Sequence, residues 1–126
     1  MIAADTCSLS AYFKGLSGED TDKIDIAFAA NQLCLPPVVV TELLSDPTPT
    51  HRADLEDVLT NIATLPLLDG YWQRAGHARR ILKTKNLKAK IADALIAQSC
   101  IDHDVALITR DTDFRHFAKH CGLKLA

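Results

Sequence analysis

The chain has 126 residues, 48% hydrophobic and 24% charged, with a formal net charge of −2. That is the composition of a single ordinary soluble globular domain with a real core. No apolar run reaches the about 18 residues of a membrane span, and the opening MIAADTCSL carries an acid at position 5 and no basic segment, so neither a membrane protein nor a signal peptide is expected.

MIAAD reads as a short apolar strand. SLSAYFKGL follows with Leu9, Tyr12, Phe13 and Leu16 at helical spacing and Ser8 placed to cap it. SGED breaks the chain, and Thr21 then caps a helix with Ile24, Ala27 and Phe28 on one side. LCL is a second short strand, ended by Pro36 and Pro37. In VVVTELL the signals conflict: three valines favour a strand, while proline at a first turn and the spacing of Val38 and Glu42 favour a helix, which is the reading adopted. DPTPT is a turn, and Thr50 opens a helix carrying Leu55, Val58, Leu59 and Ile62. LPLL is a brief strand or an extended connector. Asp69 precedes a long amphipathic helix with Trp72, Ala75 and Leu82, which runs into a basic loop, KTKNLKAK. IADALIAQSCIDHD is helical, with Ile91, Leu95 and Ile101 along a buried stripe; VALIT is the clearest strand and LKL a last short one.

Strands alternating with helices predict an α/β fold, one domain over residues 1–126, with a mainly parallel sheet covered on both faces. In such sheets the chemistry gathers at the carboxyl ends of the strands, near the point where the strand order reverses. Asp5 ends the first strand, and Asp111 and Asp113 lie just beyond VALIT. Glu42 and Asp93 are each flanked by apolar residues on both sides, an expensive setting for a lone carboxylate. Each acid alone is explained as a helix cap or a surface turn, and Asp5 could simply cap SLSAYF. Together, four or five converging carboxylates would repel one another unless a hard divalent cation sat among them. No histidine or cysteine stands at zinc spacing, so the preference is Mg²⁺ or Mn²⁺.

Charge is unevenly spread. Residues 1–73 carry 11 acids against three bases, and residues 74–126 carry 11 bases against five acids. RAGHARRILKTKNLKAK, residues 74–90, has seven Lys or Arg and no acid, which makes either a solvated helix face or a surface for phosphates. The four cysteines, Cys7, Cys34, Cys100 and Cys121, are far apart and form no C-x-x-C pair, the pattern of reduced thiols in a cytosolic protein.

With the acids placed, the sequence resembles a PIN domain, in particular the VapC-type toxic ribonucleases of toxin–antitoxin pairs. The resemblance runs from residue 1 to about residue 120 through AADTCSL, VVVTELL, IADALIAQSC and LITRDTDF, in the family's order. It implies a PIN-like α/β/α sandwich with four or five short strands, and one acidic pocket holding one or two Mg²⁺ or Mn²⁺ ions. By position, Asp5, Glu42 and Asp93 match the three core acids, Asp111 the fourth, and Asp113 is a candidate fifth. Thr6 matches the hydroxyl residue after the first acid, and Thr109 resembles the one that orients the fourth. Cys7 departs from the family, where serine is common.

The function implied is metal-assisted hydrolysis of RNA phosphodiester bonds in the cytoplasm, by a homodimer held in check by a cognate antitoxin. RNA would lie along Arg79, Arg80, Lys83, Lys85 and Lys88, while Arg110 and Arg115 either grip phosphates or pair with neighbouring acids. Exposed residues of SLSAYFKGL and of the helix from Thr21 would meet the antitoxin. A PIN nuclease of RNA maturation or decay without an antitoxin would carry the same acids. A phosphoreceiver-like signalling module shares the size and the early acid, but its mid-chain acid, Asp57, would fall inside a helix.

Overall fold

The computed structural model describes residues 1–47 and 54–126. Their elements are β1 Ile2–Ala4, α1 Thr6–Phe13, α2 Glu19–Ala29, β2 Leu33–Leu35, α3 Pro37–Ser45, α4 Leu55–Thr60, β3 Ala63–Thr64, α5 Tyr71–Thr84, α6 Ile91–Asp102, β4 Leu107–Ile108 and α7 Phe114–Cys121. The strands form one parallel sheet in the order β3-β2-β1-β4, flanked by the helices in an α/β/α arrangement. The expected LKL strand contributes a single parallel bridge, Leu125 to Leu107. No helix among the described residues is long and apolar enough to cross a membrane.

The strand order positions everything that follows. The chain steps outward from β1 to β2 to β3, then returns to the other side of β1 with β4. The reversal therefore lies between β1 and β4, and a crevice opens there beyond the carboxyl ends of the two strands. Small residues occupy the middle of the sheet: Ala3, Ala4 and Cys34 are completely buried, which lets helices approach closely. Bulk is supplied from the helices by Leu9, Ile24, Val39, Leu82, Ile96, Phe114 and Phe117, all fully buried. Each such side chain contributes about 1.5–3 kcal/mol by leaving water.

VVVTELL is helical, as the proline argument required. Pro36 is extended, Pro37 opens α3 where no backbone donor is needed, and the helix buries Val39 and Leu43 one turn apart.

Several local expectations need correction. Asp5, not Ser8, caps α1, and Ser8 is buried within that helix. Gly18 precedes α2, and Thr21 lies inside its first turn, donating its hydroxyl to the Gly18 carbonyl. Phe28 is exposed, and the inward face of α2 is filled by Asp20, Thr21, Ile24 and Ala27. The third strand is Ala63–Thr64, so LPLL is the extended connector. In α5 the inward line runs through Tyr71, Ala75, Ala78 and Leu82, leaving Trp72 outside, and the helix continues through Lys83 and Thr84, which shortens the basic loop. Ile91 is exposed at the start of α6, where Ala94 and Ala97 face the core instead. A further helix, α7, follows β4; Phe114 and Phe117 anchor it, and Gly122 ends it with φ of 83°. The helix start at Thr50, and residues 48–50 of the expected turn, lie outside the described residues.

Candidate metal centre

Ala4 stands opposite Ile108 in the β1–β4 register, so the next residues, Asp5 and Thr109, leave the sheet side by side. The Asp5 amide donates to the Ile108 carbonyl at 3.1 Å. Asp5 as a whole is only 2% exposed. Oδ1 accepts from the Ser8 amide at 2.9 Å, and Oδ2 accepts from the Thr109 hydroxyl. Burial raises the Asp5 pKa; the Thr109 and Ser8 hydrogen bonds oppose the rise and Asp111 adds to it. The two readings of Asp5 are thus one fact: it caps α1 and also lies in the wall of the crevice.

From Thr109 a relay of hydrogen bonds fixes the following loop. The Asp111 amide donates to the Thr109 hydroxyl at 3.0 Å, and the Asp113 amide donates to Asp111 Oδ1 at 2.9 Å. Asp113 immediately precedes α7. Across the crevice, Asp93 sits in the first turn of α6, and Glu42 projects from α3, accepting from the Thr6 hydroxyl at 2.7 Å. Helix α3 packs on both α1 and α6, which brings Glu42 towards the others.

Asp93, Asp111 and Asp113 each offer a carboxylate oxygen within 4.8 Å of the other two. Asp5 and Glu42 lie outside that tight triad, but they share its field. Asp93 is pushed up to about 6 by burial first, then by Asp111, with Asp113 and Glu42 adding and Lys90 opposing. The exposed Cys7 thiol is raised by its partial burial and then by the negative field of Asp5, Asp111, Asp93 and Glu42, four acids from four parts of the chain. The donors are hard carboxylate oxygens in mutual repulsion, the set that suits Mg²⁺ or Mn²⁺.

The expected cations divide into two groups. Arg110 pairs with a neighbouring acid: its Nε and Nη2 donate to Asp20 Oδ2 and Oδ1 at 2.7 and 3.1 Å. The Arg110 hydrogen bonds hold the Asp20 carboxyl down at about 2. The Arg110 amide also donates to the Ser8 hydroxyl oxygen at 3.0 Å, tying the loop after β4 to α1. Arg79 uses its Nε to hold the Ala89 carbonyl at 2.7 Å. Lys88 sits at the acids themselves, with Nζ 3.3 Å from Asp113 Oδ2. Arg80, Lys83, Lys85 and Arg115 are exposed. Arg115 lies beside Thr109 and Asp111 in a concavity of about 140 Å³. Arg79, Arg80 and Lys83 line another, of about 420 Å³, on α5.

Sequence reasoning missed Ser8 and Asp20 as parts of this neighbourhood. SGED carried Asp20 in plain view, but nothing local marks it as the partner of a residue 90 positions away. All four cysteines are free, with Cys34 and Cys100 buried.

A family model described as PIN domain matches residues 2–120. No curated protein matches the sequence. Among solved structures, the crystal structure of VapBC2 from Rickettsia felis bound to a DNA fragment from their promoter contains a similar chain, with a TM-score of 0.76 and 19% identity over 100% of this chain and 98% of that one. At that identity the likeness is one of fold.

Proposed function

The chain belongs to the PIN domain family, and from that membership we propose that it is a divalent-metal-dependent endoribonuclease of VapC type, a single-domain cytoplasmic toxin neutralised by a cognate antitoxin. The observation that carries this reading is the triad of Asp93, Asp111 and Asp113, with carboxylate oxygens within 4.8 Å at the reversal point of a parallel sheet. The antitoxin and toxin assignment draws on the likeness to the VapBC2 complex.

Asp93, Asp111 and Asp113 would hold Mg²⁺ or Mn²⁺, with Asp5 and Glu42 completing the negative wall. A bound ion of this kind supplies Lewis-acid polarisation of the scissile phosphate and lowers the pKa of the attacking water. The chain's own residues do the rest. Thr109 and Ser8 hold the Asp5 carboxylate, and Thr6 holds Glu42, so the wall is set before substrate arrives. One carboxylate of the wall would accept the proton of the attacking water. Lys88, Arg115, Arg80, Lys83 and Lys85 offset the repulsion between RNA phosphates and the acids. Leu16 and Ile26, 54% and 71% exposed in the α1–α2 region, are apolar footholds for an antitoxin segment. A homodimer is part of the same proposal.

Purified protein with Mn²⁺ should cut total RNA at discrete ends, and Asp93→Ala should abolish every one of them. Cleavage by that variant at the wild-type rate would sink the reading. A small second chain co-purifying from the native operon would separate the toxin from a PIN nuclease acting alone in RNA maturation or decay.

A further inference from the structure

The outer face of α5 has features that the acid cluster leaves unexplained. Trp72, the chain's single tryptophan, is 63% exposed. Trp72, Gly76 and Arg80 follow at intervals of four on one helix face. Gly76 lies in mid-helix, where glycine is unfavourable, and a Cβ there would meet nothing within 4 Å, so no packing requires it. Its effect is an open floor between an aromatic ring and a group of cations.

The ring is steadied from below. Buried Tyr71 meets it edge-on, centroids 5.1 Å apart at 74°, and the Tyr71 hydroxyl donates to the Leu95 carbonyl of α6 at 2.6 Å. Trp72, Gly76, Arg79, Ile91 and Leu95 line a groove of about 250 Å³ between α5 and α6. Gly76 and Arg79 also belong to the cationic concavity with Arg80 and Lys83, so the two are continuous. The cationic end of the groove is tied to the acid side through the loop after α5, where Arg79 holds the Ala89 carbonyl and the neighbouring Lys88 reaches Asp113.

We propose that this groove is a base-stacking subsite for single-stranded RNA, in which one base lies on the Trp72 ring while flanking phosphates run over Arg79, Arg80 and Lys83 towards the acid cluster. The inference rests on the ribonuclease reading above and adds a residue that grips the strand away from the acids. An exposed, pre-positioned aromatic next to cations binds any base through its π-face, and one such stack is worth roughly tenfold in affinity. Charge decides the occupant. A second copy docking symmetrically on the same patch would set Arg80 and Lys83 against their own kind, whereas a polyanion is drawn to both the patch and the crevice mouth.

The test uses the full chain in EDTA, which suspends cleavage, and follows the emission of its one tryptophan. A short oligoadenylate should quench that emission saturably, while a ribose-phosphate oligomer of equal length without bases should not. Trp72→Ala should bind labelled oligoadenylate roughly tenfold more weakly and the baseless oligomer as wild type does, with Trp72→Phe recovering most of the loss. Unchanged oligoadenylate affinity in Trp72→Ala would overturn the subsite. So would a Trp72→Ala chain that keeps RNA affinity but loses self-association or a co-purifying partner. Cleavage in Mn²⁺ without quenching removes the subsite and leaves the nuclease standing; quenching without any cleavage does the reverse.

Discussion

The Thr109 hydroxyl donates to Asp5 Oδ2 and accepts from the Asp111 amide, so one side chain ties the acid after β1 to the acid after β4. Removing it strands a buried carboxylate oxygen, at a cost of about 1–3 kcal/mol. Thr109→Val should lose that much stability in urea unfolding and cut RNA roughly tenfold more slowly, because the wall is no longer pre-set. Thr109→Ser, which keeps the hydroxyl, should stay near wild type in both.

Asp93 titrates at about 6 when folded against an ordinary 3.8, so the folded state holds its proton more tightly than the unfolded state does. Without divalent ions, stability should therefore fall as pH rises from 3.8 through about 6 and stay low above it. Asp93→Asn should stabilise the metal-free protein at neutral pH by about 2 kcal/mol, and Mn²⁺ should raise the melting temperature of the wild type only. Thermal scans in EDTA and in Mn²⁺ check both halves.

The Asp20–Arg110 pair makes the opposite prediction for pH. Its carboxyl is held at about 2, so its stabilisation is present above 3.8 and is lost as pH falls towards about 2. Asp20→Asn and Arg110→Ala should each destabilise by about 1–2 kcal/mol, allowing for the half-open side of Arg110, and the double variant by little more than either. Arg110→Ala should leave the salt dependence of RNA binding unchanged. Arg115→Ala should lower that slope by about one.

Much of this was legible in the sequence, and what was not has a physical reason. The acids fell at strand ends or inside apolar helix sequence, so Asp5, Glu42, Asp93 and Asp111 could be singled out without coordinates. The preference among them could not. Three carboxylates pack tightest at Asp93, Asp111 and Asp113, because the hydrogen-bonded turn after Thr109 folds Asp113 inward, whereas Asp5 and Glu42 are held by threonines. Arg110 and Arg115 are indistinguishable as neighbours in a string; only the fold shows that one faces Asp20 and the other solvent. Helix α7 was visible in the spacing of Phe114, Phe117 and Cys121 followed by Gly122. The pull of the adjacent VALIT strand and LKL obscured it.

Lys88 Nζ lies 3.3 Å from Asp113 Oδ2, one of the three clustered acids. An exposed pair of this kind adds little stability, so Lys88→Gln should leave the melting temperature within about a degree of wild type. It should bind Mn²⁺ more tightly, since a competing charge is gone, and RNA more weakly, since a phosphate partner is gone. Metal titration and oligonucleotide binding should move in opposite directions.

The proposed metal centre is one divalent cation held by Asp93, Asp111 and Asp113 against a negative wall completed by Asp5 and Glu42. Mn²⁺ binding to the wild type and to single alanine variants, read from the electron paramagnetic resonance of the free ion, tests it most directly. Saturable binding is expected, abolished by Asp93→Ala or Asp111→Ala and weakened roughly tenfold by Asp5→Ala or Glu42→Ala. Undiminished binding in all four variants would contradict it.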